Sequence, residues 1–197
     1  MVKKTVELAP EVITIDTGGG RLAAISEDDV SARYPRAGTL HAVSSSGDDR
    51  PVVLHTARAL VEVQLHAGGM APRALVGGQF VAAESGETQF DVALASSSAE
   101  PTACNSHLWR EPFLAGLTEE FAPALLEGLR IGSEKLGLPA GVLQVDRAGH
   151  DVVNSSAHVF RLAGQMLRCV LATKLHGGDV PEEAGRLLRS RRRAGWS

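Results

Sequence analysis

The stretch His150–Ala172, which reads HDVVNSSAHVFRLAGQMLRCVLA, joins a polar turn to a strongly apolar segment. Its apolar residues recur in steps of three and four, and this spacing places them on one face of a helix that must be buried. Three polar side chains stand where the first free N–H groups of such a helix need acceptors: Asn154, Ser155 and Ser156. We therefore predict a helix over residues 155–174, with His150 and Asp151 held just outside its start.

A second helix is predicted over residues 123–136. Pro123 lies in its first turn, where proline is tolerated, and Gly137 follows as a typical helix terminator. Extended segments precede it, of which residues 60–66 alternate as a half-buried strand does. Strands and helices follow in a mixed order, which predicts an α+β fold. We expect a mainly antiparallel sheet of four or more strands with two helices on one face.

The two helical blocks resemble domain IV of bacterial elongation factor G. In that family a Tyr-His-Asp-Val-Asp-Ser-Ser stretch leads into a helix of the type Ala-Phe-Lys-Ile-Ala-Gly-Ser-Met. The residues that match this pattern in order and spacing are His150, Asp151, Val152, Ser155, Ser156, Phe160, Ala163, Gly164 and Met166. Glu119–Arg130 is similar to the family's Lys-Glu-Tyr-Ile-Pro-Ala-Val-Glu-Lys-Gly-Ile-Arg helix. The matching residues there are Glu120, Pro123, Ala124, Glu127, Gly128 and Arg130.

A third block, Ser85–Ala95, is similar to the family's Ser-Gly-Gly-Arg-Gly-Gln-Phe loop and the strand after it. Gln89 and Phe90 match, but the basic arginine of the loop is absent and Glu87 is present instead. Together the blocks span residues 85–175, a little under half of the chain. Their order across two helices makes the resemblance specific for fold.

The resemblance implies a fold and a mode of contact. The fold is the split β-α-β unit with a left-handed crossover. In the family, the tip of domain IV reaches the decoding region of the ribosome and contacts transfer RNA. Transferred by position, the binding residues that the resemblance implies are His150, Asp151, Ser155, Ser156 and Gln89. Function depends on sites rather than on folds, so contact with RNA is an expectation only.

The sequence predicts three parts. Residues 58–176 form the domain that resembles elongation factor G domain IV. Residues 1–57 form an N-terminal β-rich extension, with two strands around the turn Gly18–Gly20, that adds strands at a sheet edge or builds a partner surface. Residues 177–197 form a basic C-terminal helix or tail, whose last arginines are a candidate arm for nucleic acid.

Charge is unevenly distributed along the 197 residues, whose formal net charge is −3. Five arginines and two acidic residues follow Pro181, so the first 181 residues carry a net charge of −6. Proteins that bind RNA mainly through its phosphates usually carry the opposite sign. The eight aromatic residues also leave little for base stacking.

The sequence is interpreted as a cytoplasmic protein without a membrane partner. No apolar stretch approaches the ~20 residues that cross a bilayer, and the first residues contain no continuous apolar segment. Cys104 and Cys169 are far apart and form no disulfide framework, and Cys169 is most simply a core residue. We expect no cofactor and no metal site.

Four side chains are candidates for catalysis: Cys104, His107, His150 and His158. Cys104 and His107 lie three residues apart in a polar loop, as a thiol nucleophile and its base could. His150 needs a partner within hydrogen-bond reach, and Asp151 does not supply one by adjacency, since successive strand residues point to opposite faces. Trp109 in the same loop is expected to anchor the loop on the core.

Two classes of function stay open. The first is a ribosome- or RNA-associated accessory protein that resembles elongation factor G domain IV. No glycine-rich phosphate loop followed by Lys-Ser or Lys-Thr is present in the sequence, so GTPase activity is not expected. The second is a repurposed enzyme or a small-molecule-binding protein with a pocket around the histidine and cysteine candidates. The acidic body opposes the first class, and the lack of a recognisable catalytic constellation opposes the second.

Overall fold

The computed structural model describes residues 11–45, 50–66, 68–84, 86–100, 102–131 and 137–190, and in these ranges the fold is α+β, as predicted. The strands are β1 (Ile13–Asp16), β2 (Arg21–Ser26), β3 (Arg36–Ser45), β4 (Thr56–Leu65), β5 (Arg73–Ala82), β6 (Glu87–Ala95), β7 (Ala103–Cys104), β8 (Phe113–Ala115) and β9 (Gly141–His150). The helices are α1 (Ala122–Arg130), α2 (Ala157–Leu175) and α3 (Val180–Ser190), and a short 3-10 helix spans Val30–Ala32.

The described strands form one sheet in the order β1-β2-β4-β5-β9-β6-β3, with β7 and β8 added beside the end of β9. Neighbours are antiparallel except β6 and β9, which are parallel and are connected through β7, β8 and α1. No strand lies between β6 and β9, because they pair directly from Thr88 and Gly141 onward. This corrects the expected split arrangement, in which an intervening strand would separate the parallel pair.

The three helices pack together over one face of the sheet. α2 packs on β4 and β5, α1 packs beside α2, and α3 packs on α2 and β1. Ser156 caps α2, since its Oγ accepts the N–H of Val159 at 3.4 Å, so the helix begins two residues after the predicted start. α1 is described to Arg130, and residues 132–136 of its predicted span lie outside the described residues.

Glycines allow α1 and α2 to approach closely. A Cβ atom at Gly164 would lie 2.5 Å from the carbonyl oxygen of Leu125, and one at Gly128 would lie 2.1 Å from that of Arg161. Neither position accepts a side chain at this separation of the backbones. The two helices therefore present one apolar surface to the sheet, with Phe121 stacked on Phe160 at a centroid distance of 4.8 Å.

The second face of the sheet is also covered, which the sequence analysis did not predict. β4 is buried on both faces, so the prediction of a half-buried strand at residues 60–66 is wrong for most of its length. The covering layer consists of the segment around β7 and β8 together with the short 3-10 helix. The members of its apolar cluster are Ala32, Leu60, Leu75, Cys104, Phe113 and Ala115.

The N-terminal strands continue this sheet at both of its edges. β1 and β2 pair antiparallel around the turn Gly18–Gly20, whose glycines all have positive φ, and β2 pairs with β4. β3 lies at the other edge, where it pairs with β6. In the ranges that the structure describes, no helix is both long enough and apolar enough to cross a membrane.

Candidate functional site

Three connecting segments meet at the end of the sheet where β9 leads into α2, and Arg73 joins them. We call this end the tip and define it as residues 68–72, 105–112 and 151–156. Arg73 is 1% exposed, and its guanidinium donates to the carbonyls of Glu111 (2.7 Å) and Pro112 (3.1 Å) and, through Nε, to Asp151 (2.8 Å). Its backbone N–H donates to the carbonyl of Asn154. A single buried arginine therefore fixes the arrangement of the tip.

Asp151 completes this arrangement from the other side. Its Oδ1 accepts the backbone N–H groups of Val153 (2.8 Å) and Asn154 (2.9 Å), while Oδ2 faces Arg73. Burial alone would raise the pKa of this carboxyl, but the backbone hydrogen bonds and the Arg73 guanidinium outweigh it and lower the pKa to about 2. Asp151 is thus an ionised structural group whose oxygens are occupied.

The two serines predicted to bind a partner are partly buried, and both form hydrogen bonds that hold the turn in place. Ser155 Oγ donates to the carbonyl of Arg73 at 2.8 Å and accepts the N–H of Asp151 at 2.9 Å. Ser156 is the cap of α2. Gln89 lies near the start of β6, which is parallel to β9, so it is at the end of the sheet opposite to His150. The structure therefore does not bring Gln89 to the tip.

His150 is half-buried on the helix-covered face of the sheet. Its Nδ1 lies 3.1 Å from the carbonyl oxygen of Gly116, and its ring centroid lies 6.4 Å from that of Phe121. Because a carbonyl oxygen can only accept, this contact requires a proton on Nδ1. His158 is exposed in the first turn of α2.

Cys104 lies on the opposite face of the sheet from His150. A Cβ atom at Gly149, the residue before His150, would lie 2.8 Å from the Cys104 sulfur, and the thiol is 1% exposed. Burial, followed by the charges of Asp29 and Glu62, raises the pKa of Cys104 to about 12. The thiol therefore stays protonated at neutral pH and is a poor nucleophile. The cysteine and histidine candidates do not come together in one pocket.

A buried carboxylate that the sequence analysis did not single out holds the loop that contains His107. Glu62 is 1% exposed and accepts hydrogen bonds from Ser106 Oγ (2.6 Å) and from the backbone N–H groups of His107 (2.7 Å) and Leu108 (3.3 Å). The only sequence signal was an acidic residue between two valines of a strand. The loop is therefore fixed through its backbone, and the His107 side chain is exposed.

The tip exposes apolar and aromatic side chains on this rigid support. Trp109 is 40% exposed, with its ring centroid 6.0 Å from that of His66, and its indole N–H donates to Glu111. This corrects the prediction that Trp109 anchors the loop; Phe113, which is fully buried beneath the Arg73 guanidinium, does so. The other large exposed apolar residues of the tip are Met70, Val152 and Val153.

Among the residues that the structure describes, no group of three or more His, Cys, Asp or Glu side chains is arranged to hold a metal ion. Comparison with known proteins adds no relative: no family model, curated protein or solved structure matches this chain. The geometry of the tip is therefore the basis for a functional interpretation.

Proposed function

We propose that this protein is a ribosome- or RNA-associated accessory protein of the cytoplasm that resembles elongation factor G domain IV and lacks GTPase activity. The observation that carries the proposal is the exposed Trp109 beside His66 at the tip. Aromatic rings in such positions are the usual platforms for unpaired bases. We propose that the ligand at the tip is a single-stranded segment of RNA.

The order of elements supports the resemblance. A strand, α1, a parallel strand and α2 occur in the order β6-α1-β9-α2, with β7 and β8 inserted before α1, and the polar turn His150–Ser156 leads into α2. The matched glycines Gly128 and Gly164 both lie where the helices touch. We propose on this basis that β4, β5, β6, α1, β9 and α2 correspond to the core of domain IV and share its left-handed crossover, although β6 and β9 pair directly and are not split by another strand.

Rigidity of the tip supports a role in recognition. Segments that bind partners lose less entropy when they are already fixed in the free protein. Here Arg73 and Glu62, both 1% exposed, fix the backbones of the segments that expose Trp109, Val152 and Val153. The tip can thus present these side chains without a folding step.

The acidic body determines what kind of RNA contact is consistent with this proposal. A chain with a net charge of −3 cannot rely on neutralising many phosphates. Stacking on Trp109 with support from the nearby Arg110 does not need a broad basic surface. We therefore expect binding that weakens only modestly as the salt concentration rises.

The catalytic alternative has less support. Cys104 and His150 lie on opposite faces of the sheet, and the thiol of Cys104 is protonated at neutral pH. We therefore do not propose an enzymatic reaction at the histidine and cysteine candidates.

Replacing Trp109 tests the proposal. Trp109→Ala should weaken binding of a fluorescently labelled single-stranded oligoribonucleotide about fivefold or more, because one base stacked on an aromatic ring contributes about 1–3 kcal/mol. Anisotropy gives the affinity, and co-sedimentation shows whether the protein travels with ribosomes. The matched control is Ile131→Ala, which removes an apolar side chain of similar exposure, 43%, just after α1.

Two outcomes would overturn the proposal. One is a wild-type protein that neither binds RNA nor co-sediments with ribosomes, and the other is a Trp109→Ala variant that binds as well as wild type. The arginines after Ser190, a candidate arm for nucleic acid, lie outside the described residues. In a chain truncated after Ser190, Trp109→Ala should weaken RNA binding as much as it does in the full chain. This comparison separates the contribution of the tip from that of those arginines.

A further inference from the structure

A second surface feature lies on the same face of the sheet as the covering layer, beside the tip. It is a cleft of about 370 Å³ whose charged and aromatic lining residues are Arg33, Tyr34, Arg36, Arg58, Asp146 and Arg147. Arg58 lies about 13 Å along an extended strand from Glu62, the residue of β4 that holds the tip loop. The cleft and the tip are therefore neighbours that share no lining residue.

Two of the arginines are neutralised within the protein. Arg58 donates through Nη1 (3.1 Å) and Nη2 (2.9 Å) to the two carboxylate oxygens of Asp146. Arg147 donates through Nε (2.9 Å) and Nη2 (3.2 Å) to the two carboxylate oxygens of Asp28. Arg147 also lies 2.9 Å from Asp146. The network of two arginines and two aspartates is electrically balanced, and three of its members, Arg58, Asp146 and Arg147, line the cleft.

The other two arginines have no such partner. Arg33 follows the 3-10 helix and Arg36 is the first residue of β3, on either side of Tyr34. Both arginines are exposed, and neither forms an ion pair within the described part of the chain. Tyr34 is held in place because its hydroxyl donates to the carbonyl of Ala93 at 2.8 Å. The rim of the cleft thus carries two positive charges that the protein does not compensate.

We propose that this cleft binds the phosphate group of a small phosphate monoester. A monoester carries a charge of about −1.5 to −2 at neutral pH, which balances the two free guanidinium groups. One guanidinium group can donate two parallel hydrogen bonds to two oxygens of a phosphate. The volume of the cleft is that of a typical small-molecule site. An internal RNA phosphate carries only one charge, so the monoester is the better match.

The experiment measures binding by isothermal titration calorimetry at constant ionic strength. The probes are inorganic phosphate, a nucleoside 5′-monophosphate, a sugar monophosphate and a single-stranded RNA without a terminal phosphate. The double variant Arg33→Gln/Arg36→Gln should bind the first three about tenfold or more weakly than wild type, since two charge-assisted contacts are lost. The matched control is Arg130→Gln, an exposed arginine at the end of α1 that is not part of the cleft.

A charge-retaining variant separates specific contact from general attraction. Arg33→Lys/Arg36→Lys keeps the charges but loses the planar donor pairs, so its affinity should lie between those of wild type and the glutamine variant. Equal affinity of wild type and the glutamine variant would overturn the proposal, as would the absence of binding to both monoester probes at millimolar concentration.

The outcome is independent of the function proposed for the tip. The glutamine variant should bind RNA through Trp109 as wild type does, so loss of phosphate binding and loss of RNA binding are separable results. RNA binding that depends on Arg33 and Arg36, without binding of any monoester, would overturn the assignment of the cleft.

Discussion

At the scale of the residue, the tip depends on a buried pair of opposite charges. Arg73 and Asp151 are 78 positions apart in sequence, and both are linked by several hydrogen bonds to the segments that surround them. Removing one partner of such a pair leaves the other charge buried and uncompensated, which is more costly than losing an exposed ion pair. The contribution of this pair can be measured through its dependence on pH.

Asp151→Asn should lower the free energy of unfolding by about 2 kcal/mol at neutral pH, as expected for a carboxyl whose pKa falls from 3.8 to about 2 on folding. A lowered pKa in the folded state means that the carboxylate contributes stability above pH 4. This contribution is lost as the pH falls from about 4 to 2. Urea denaturation of wild type and variant should therefore give curves that converge over this range. A constant difference across it would contradict the assignment.

At the scale of the secondary-structure element, the crossing of α1 and α2 depends on glycine. Gly164→Ala should lower the free energy of unfolding by about 1–3 kcal/mol, because the new methyl group meets the backbone of Leu125 and forces the helices apart. Gly185→Ala in α3 is the matched control. Its methyl group meets only the flexible end of Arg189 at 3.3 Å, so higher helix propensity should stabilise this variant by up to about 1 kcal/mol. Thermal unfolding of both variants checks the contrast.

The elements themselves were predictable where the signal is local. The apolar period and the polar residues before it predict α2, and Ser156 is indeed its cap. The strand pair around Gly18–Gly20 follows from the same kind of local pattern. In the candidate site, His150 lies at the end of β9 as expected. The hydrogen bonds that Asp151 and Ser155 form with Arg73 were not predicted. Their partner, Arg73, lies in a strand that no local pattern connects to them.

At the scale of the whole molecule, contacts between strands that are distant in sequence could not be predicted. Arg147 and Asp28 are 119 positions apart, yet Asp28 accepts a hydrogen bond from Arg147, which lines the cleft. The polar residues Glu62 and Gln64 suggested a solvent-exposed face for β4, whereas the layer around β7 and β8 buries them. Periodicity reports which residues share a face but not what covers that face. The second layer could be found only from the three-dimensional arrangement.

The two layers that cover the sheet should therefore differ in stability. The helix layer contains a large apolar core, whereas the second layer has six buried apolar residues and the hydrogen bonds of Glu62. Glu62→Gln keeps the size of the side chain but replaces one of its acceptor oxygens with a donor group. Hydrogen bonds to charged groups contribute about 1.5–3 kcal/mol, so the variant should release the loop at residues 106–108.

Hydrogen exchange measured by mass spectrometry checks this expectation. Amides of residues 105–111 should exchange faster in the variant, while those of α1 and α2 keep their protection. Glu87→Gln, at the exposed start of β6, is the control and should change neither region. If protection in α2 falls together with that of the loop, the two layers unfold as one unit. In that case the tip would be stabilised by the whole core rather than by Glu62 and Arg73.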